Sequence, residues 1–80
     1  MHELGYCEGI LELVERRAAG RSVAAIGVRI GAVHGIVPEA FQQNFEIAAM
    51  NGPAASAVTN VVVVPGDEVV LEWLEYAEGG

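Results

Sequence analysis

Lysine is absent from this chain and arginine occurs only four times, against eleven acidic residues, which leaves a formal net charge of −7. A chain of that sign repels phosphate backbones and anionic lipid alike, so neither nucleic acid nor a membrane surface is an expected partner. Cations and proteins with basic patches are. Cysteine is scarce as well. Cys7 alone excludes a disulfide framework and any Cys-x-x-Cys zinc site, and points to a reducing, cytoplasmic compartment. No run approaches the roughly 18 apolar residues of a membrane span, and the acidic start is unlike a signal peptide. A G-x-x-x-x-G-K-[ST] phosphate loop is missing. With no nucleophile–base constellation in view either, the chain is not expected to be an enzyme. Its 80 residues, 52% of them apolar, are enough for one small domain with a core of marginal size.

Residues 3–19 predict an amphipathic helix. Leu4, Cys7, Leu11, Val14 and Ala18 form its apolar stripe, widened by Ile10 and Leu13, with Glu3, Glu8, Glu12 and Glu15 opposite. Arg16 and Arg17 suit the negative end of the macrodipole, and Gly20 supplies the stop. Gly5 and Gly9 each cost about 1 kcal/mol relative to Ala inside a helix, which predicts either close approach of another backbone or fraying. Cys7, on the stripe, reads as a small core hydrophobe, with a thiolate ligand near His2 as the alternative.

Residues 22–33 alternate with period two and predict a strand with Ala24, Ile26, Val28, Ile30 and Ala32 on one side. Gly31 and Gly35 bracket a turn that holds His34; Pro38 and Glu39 then open a second helix, with Phe41, Phe45 and Ala48 inward, closed by Asn51-Gly52-Pro53. Residues 57–64 and 68–76 predict two strands joined as a hairpin by Pro65-Gly66-Asp67. Strict alternation places Val69, Leu71 and Trp73 on one face of the last strand and Val70, Leu74 and Tyr76 on the other. The expected fold is α+β: a two-layer sandwich of order α-β-α-β-β, with two helices on one face of a three-stranded sheet. It forms a single domain over residues 1–80, with a flexible tail from about residue 77. In that arrangement Val70, Leu74 and Tyr76 face water, and such a patch predicts a homodimer or docking face.

The chemistry concentrates at Met1-His2-Glu3. The Met1 amine, the His2 backbone nitrogen and the His2 imidazole can wrap one metal ion in fused chelate rings, and the Glu3 backbone nitrogen or carboxylate can take the fourth corner. Nitrogen-rich, near-square ligation suits Ni(II) or Cu(II) far better than Mg, Ca or Zn. His2 is bulky, so the initiator methionine and its amine are expected to stay. His34 is the other candidate ligand, against an ordinary exposed turn histidine.

Taken in order, Met1-His2-Glu3-Leu4 opening a helix, Val28-Arg29-Ile30-Gly31, Val37-Pro38-Glu39-Ala40-Phe41 and Phe45-Glu46 resemble the hydrogenase nickel-incorporation family, HypA/HybF. The resemblance implies a nickel metallochaperone that works with a nucleotide-hydrolysing partner to deliver Ni(II) to the [NiFe]-hydrogenase large subunit, and in some organisms to urease. It places nickel on Met1, His2 and Glu3. The family inserts a zinc-binding domain with two Cys-x-x-Cys pairs between the last two strands. Here the expectation is that the turn 65–67 replaces it, so that no zinc is bound. The alternative is a metal-free adaptor that keeps the fold as a docking module of the maturation machinery.

Overall fold

A helix starts at Glu3 because apolar residues recur at three- and four-residue steps from there, and it stops where two consecutive residues turn left-handed. Ala19 has φ 49° and Gly20 φ 90°, and the Arg21 N–H bonds the Ala18 carbonyl at 2.9 Å. The computed structural model describes residues 3–78, as α1 (Glu3–Ala18), β1 (Val23–Gly31), a 3-10 turn (Ala32–His34), α2 (Pro38–Ala48), β2 (Val58–Val64) and β3 (Val69–Tyr76). Gly79 and Gly80, the end of the expected tail, lie outside the described residues. The α-β-α-β-β order and the three-stranded sheet are as expected.

The core lies between the helices and one sheet face. Cys7, Ile10, Val14 and Ala18 of α1 meet Phe41, Phe45 and Ala49 from α2 and its end, above Val23, Ile26, Val28 and Ile30 of β1. The Phe41 and Phe45 rings stack with centroids 6.1 Å apart. Leu4 and Leu13, expected on the buried stripe, stay 44% and 40% exposed, so the stripe is narrower than it reads. Gly9 has open space where a Cβ would sit, and α1 runs through it unbroken. Close backbone approach is not its reason there.

Two features of the sheet depart from expectation. The first is the hairpin: β1 is the central strand, parallel to β2 and antiparallel to β3, in the order β2-β1-β3. The last two strands therefore never pair. α2 returns the chain so that β2 lies parallel to β1, and the segment 65–68 must cross the end of β1 to reach the free side. Gly31 makes room for that crossing, since a Cβ there would collide with the Gly66 carbonyl and lie 2.6 Å from Asp67 Cα. The crossing is tied down by the Gly31 N–H to Glu68 carbonyl bond, 2.6 Å, and the Val33 N–H to Gly66 carbonyl bond, 3.2 Å.

The second is strict alternation on β3. Gly27 pairs with Trp73 and Val28 with Leu71, so Glu72 is an extra residue and β3 bulges there. Beyond the bulge the faces exchange. Leu74 pairs with Ile26 and Tyr76 with Val23, and both pack against the core together with Val69. Tyr76 also donates its hydroxyl to the Arg17 carbonyl at 2.9 Å under the Arg21 guanidinium. The expected interface of Val70, Leu74 and Tyr76 is thus not one surface. The outer face presents Val58 and Val62 of β2 and Trp73 of β3, 62%, 54% and 42% exposed, with the Trp73 ring lying over Gly27. A similar irregularity at Ala24 turns Val23 to the same buried side as Ile26, where strict alternation would put the two on opposite sides.

Candidate functional site

Met1 and His2 lie outside the described residues, and of Glu3 only its place as the opening residue of α1 is described. The first backbone N–H groups of a helix have no partner within it, and that of Glu3 opens the series in α1. One turn on, the Tyr6 hydroxyl lies 2.9 Å from His34 Nδ1, the two rings tilted at 56° with centroids 5.1 Å apart. The other ring nitrogen, Nε2, lies 2.6 Å from the Asp67 carbonyl. A carbonyl can only accept, so Nε2 carries the proton and Nδ1 accepts from Tyr6. The loop that positions His34 is a single 3-10 turn closed by Gly35 at φ 64°, whose N–H bonds the Ala32 carbonyl. His34 is therefore half-buried and engaged at both nitrogens. It couples the first turn of α1 to the crossing segment, and it can ligate a metal only by giving up one of these bonds.

Beside this chain of bonds, Gly5, Tyr6, Gly9, Ile10, Leu13 and Val69 line an apolar recess of about 390 Å³. Cys7, the alternative ligand, is fully buried and donates its thiol to the Phe41 carbonyl at 3.4 Å. It acts as a core residue. Among the described residues no three His, Cys, Asp or Glu side chains cluster to hold a metal. The carboxylates are placed otherwise: Glu12 pairs with Arg16 at 2.8 Å along α1, and Glu68 and Glu72 both pair with Arg29 across the sheet. The hydrogen bond that Arg29 donates to Glu68, then the negative charges of Glu68 and Glu72, hold its guanidinium above its ordinary pKa. No described helix is long and apolar enough to cross a membrane.

Spacing along the chain did not reveal Tyr6 or the Asp67 carbonyl as partners of His34, because they lie 28 and 33 residues away from it. A tyrosine on the first turn of a helix was the only visible signal.

The family described as hydrogenase/urease nickel incorporation, metallochaperone, HypA, matches residues 1–72. Hydrogenase maturation factor HypA 2 of Bradyrhizobium diazoefficiens is 41% identical over 69 residues, which cover 82% of this chain and 61% of that protein. Hydrogenase maturation factor HypA of Rhodopseudomonas palustris BisB5 is 39% identical over the same shares, and that of Geobacter sulfurreducens 35% identical over 66 residues, 82% of this chain and 60% of its own. The chain thus spans about 61% of the length of the curated relatives it matches. Among solved structures, the Ni metallochaperone HypA from Helicobacter pylori shares the fold at a TM-score of 0.69 and 17% identity, over 99% of this chain and 89% of that one.

Proposed function

The chain belongs to the HypA family of hydrogenase/urease nickel-incorporation metallochaperones, and from that membership we propose that it carries Ni(II) as cargo at its amino end and passes it on during hydrogenase maturation. It works in the cytoplasm and catalyses no reaction itself. The ligands are the Met1 amine, the His2 backbone nitrogen and imidazole, and Glu3 through its backbone nitrogen or carboxylate. A nucleotide-hydrolysing partner protein supplies the energy of transfer, and the hydrogenase large subunit, with urease as a further target, receives the metal.

The observation that carries this reading is the position of Glu3 as the first residue of α1. Its N–H is one of those without an intrahelical acceptor, so coordination there breaks no helical bond. Charge supports it as well. One deprotonated backbone nitrogen together with a second, or with the Glu3 carboxylate, cancels the charge of Ni(II), so the chelate does not oppose the positive end of the helix macrodipole. The Tyr6–His34–Asp67 bonds hold the first turn in place. His34 is a positioning group in this reading, and joins the ligands only when Nδ1 releases Tyr6.

The test is a Ni(II) titration, followed by calorimetry and by visible absorption, of the chain and of a form with one glycine added before Met1. One equivalent should bind the chain, with nitrogen-ligand spectra, and binding should be lost in the extended form and in His2→Ala. Affinity should fall as pH drops, because protons compete for the amine and imidazole. Equal binding by the extended form would exclude the amine-anchored chelate, and no binding by either form would leave the metal-free docking module as the better reading.

A further inference from the structure

The two edges of the sheet are built differently. Glu68 directly precedes β3, which carries Glu72 at a bulge and Glu75 beyond it, and inserted charges and bulges are how sheet edges discourage further pairing. β2, Val58-Thr-Asn-Val-Val-Val-Val64, has no charge, no proline and an unbroken register with β1. Its backbone direction follows from two bonds. Gln42 Nε2 on α2 donates to the Thr59 carbonyl at 3.0 Å, and Asn60 Nδ2 donates to the Ile26 carbonyl at 3.3 Å. The Thr59 carbonyl thus points away from β1, and the carbonyl of its pair Ile26 points toward β2. With the two-residue period of a strand, Val61 and Val63 also turn their N–H and C=O groups outward. Among the described residues the sheet order ends at β2, with no further strand beside these four groups.

Charge tells what would fit. All four arginines precede position 30, where they balance Glu3, Glu8, Glu12 and Glu15, so the whole −7 falls on residues 30–80. Two of those arginines are committed to Glu12 and to the Glu68–Glu72 pair, and a third stacks on Tyr76. The hollow of about 540 Å³ between α2 and β2 is lined by Gln42, Glu46, Thr59 and Asn60 among others and by no cation. By the same alternation Val58 and Val62 share the face opposite Thr59 and both are exposed, with Val58 also bordering the hollow.

We propose that β2 is a docking edge for an extended segment of a cationic partner protein, which adds as a fourth strand. Its main chain bonds Val61 and Val63. Alternate side chains follow the two faces, apolar ones beside Val58 and Val62 and basic ones over the α2 side near Glu46. A second copy of this chain is the poorer occupant because it carries the same net charge of −7. The inference stands on the sheet and the charge distribution, and is independent of where nickel binds.

The probe is a short acetylated, amidated peptide of alternating valine and lysine, with a valine–glutamate peptide as control, observed by backbone amide NMR and hydrogen exchange of the metal-free chain. The valine–lysine peptide should protect the Val61 and Val63 amides and shift Val58 to Val64. N-methylation of its edge-facing nitrogens should weaken binding about tenfold, the loss of hydrogen bonds that a charge-only contact would not feel. Val63→Pro, which removes one outward donor, should weaken it similarly. The methylated peptide gives the same test with the protein unaltered, should that variant not fold. Equal binding of the valine–glutamate peptide, shifts confined to other elements, or no binding would overturn the proposal. Concentration-dependent dimers with these amides protected in the absence of peptide would overturn it in favour of a second copy.

Discussion

Replacing Gly31 by alanine tests whether the crossing of the 65–68 segment over β1 holds the fold together. Gly31 has φ −66° and ψ 136°, which alanine adopts freely, so the backbone conformation itself carries no penalty and the unfolded chain loses a little entropy in favour of folding. All of the cost is steric. The added Cβ meets the Gly66 carbonyl, with the Gly66 carbonyl carbon at 2.5 Å and Asp67 Cα at 2.6 Å, and these are backbone atoms that cannot rotate away. If the segment retreats, three bonds are stretched: Gly31 to Glu68, Val33 to Gly66 and His34 to Asp67. At about 1 kcal/mol net for each, less the entropy gain of about 0.5 kcal/mol, the loss is about 2–3 kcal/mol. For a domain of this size that lowers Tm by about 10–20 °C.

Gly27→Ala is the internal control. Its Cβ collides with the Trp73 indole, but that ring is 42% exposed and can swing into solvent, so the cost should be about 1 kcal/mol, mostly lost contact area. Thermal and urea unfolding of both variants, followed by circular dichroism, gives the comparison. A Gly31→Ala variant within about 0.5 kcal/mol of the parent, the usual scatter for inert surface changes, or a Gly27→Ala variant that is the more damaged of the two, would refute this account of the crossing.

Gly9→Ala should raise stability by about 0.5–1 kcal/mol, since the site is helical and open, and a melt at or below the parent value would contradict that. Tyr6→Phe should cost about 1 kcal/mol, and ¹⁵N NMR of the parent should find the His34 proton on Nε2; a proton on Nδ1 would reverse the assignment. Cys7 should react with a thiol reagent only as fast as the chain unfolds, because it is fully buried, and rapid reaction in the native state would argue against its core role. Leu74→Glu should destabilise the domain by placing a charge against the core, whereas Val62→Glu, on the exposed face, should leave Tm nearly unchanged; the reverse order would mean the strand faces are assigned the wrong way round.

Much of the architecture was legible because it rests on local periodicity. The α1 stripe through Cys7, Ile10 and Val14, the Pro38 helix start and the β-branched run at β2 each follow from side chains a few residues apart. The departures share one cause. Pairing partners and bulges depend on how distant segments meet, and Pro65-Gly66-Asp67 reads equally well as a hairpin turn or as a crossing over a third strand. Gly31 was the residue that distinguished them, since only a crossing needs a strand-end residue without a Cβ. Glu72 was likewise invisible as a bulge: Val69-Val-Leu-Glu-Trp-Leu-Glu-Tyr76 alternates plausibly in either register, and the choice is made by Ile26 and Val28 needing Leu74 and Leu71 beneath the helices.

The same crossing explains why the proposed nickel end was only half legible. Coordination chemistry singles out Met1-His2-Glu3 from three adjacent residues, because chelate rings are built from neighbours. What holds the first turn of α1 comes from elsewhere. Gly31 lets Asp67 pass close to the 3-10 turn, Asp67 fixes the proton on His34 Nε2, and the free Nδ1 then receives Tyr6 from the first turn of α1. Each link is set by the one before it. His34 therefore gains its role from topology and not from its sequence neighbours, and its two bonds separate the ways it could act. If it only positions α1, Asn or Gln at 34 should preserve much of the nickel affinity by keeping one bond, whereas a ligand role would lose it in both.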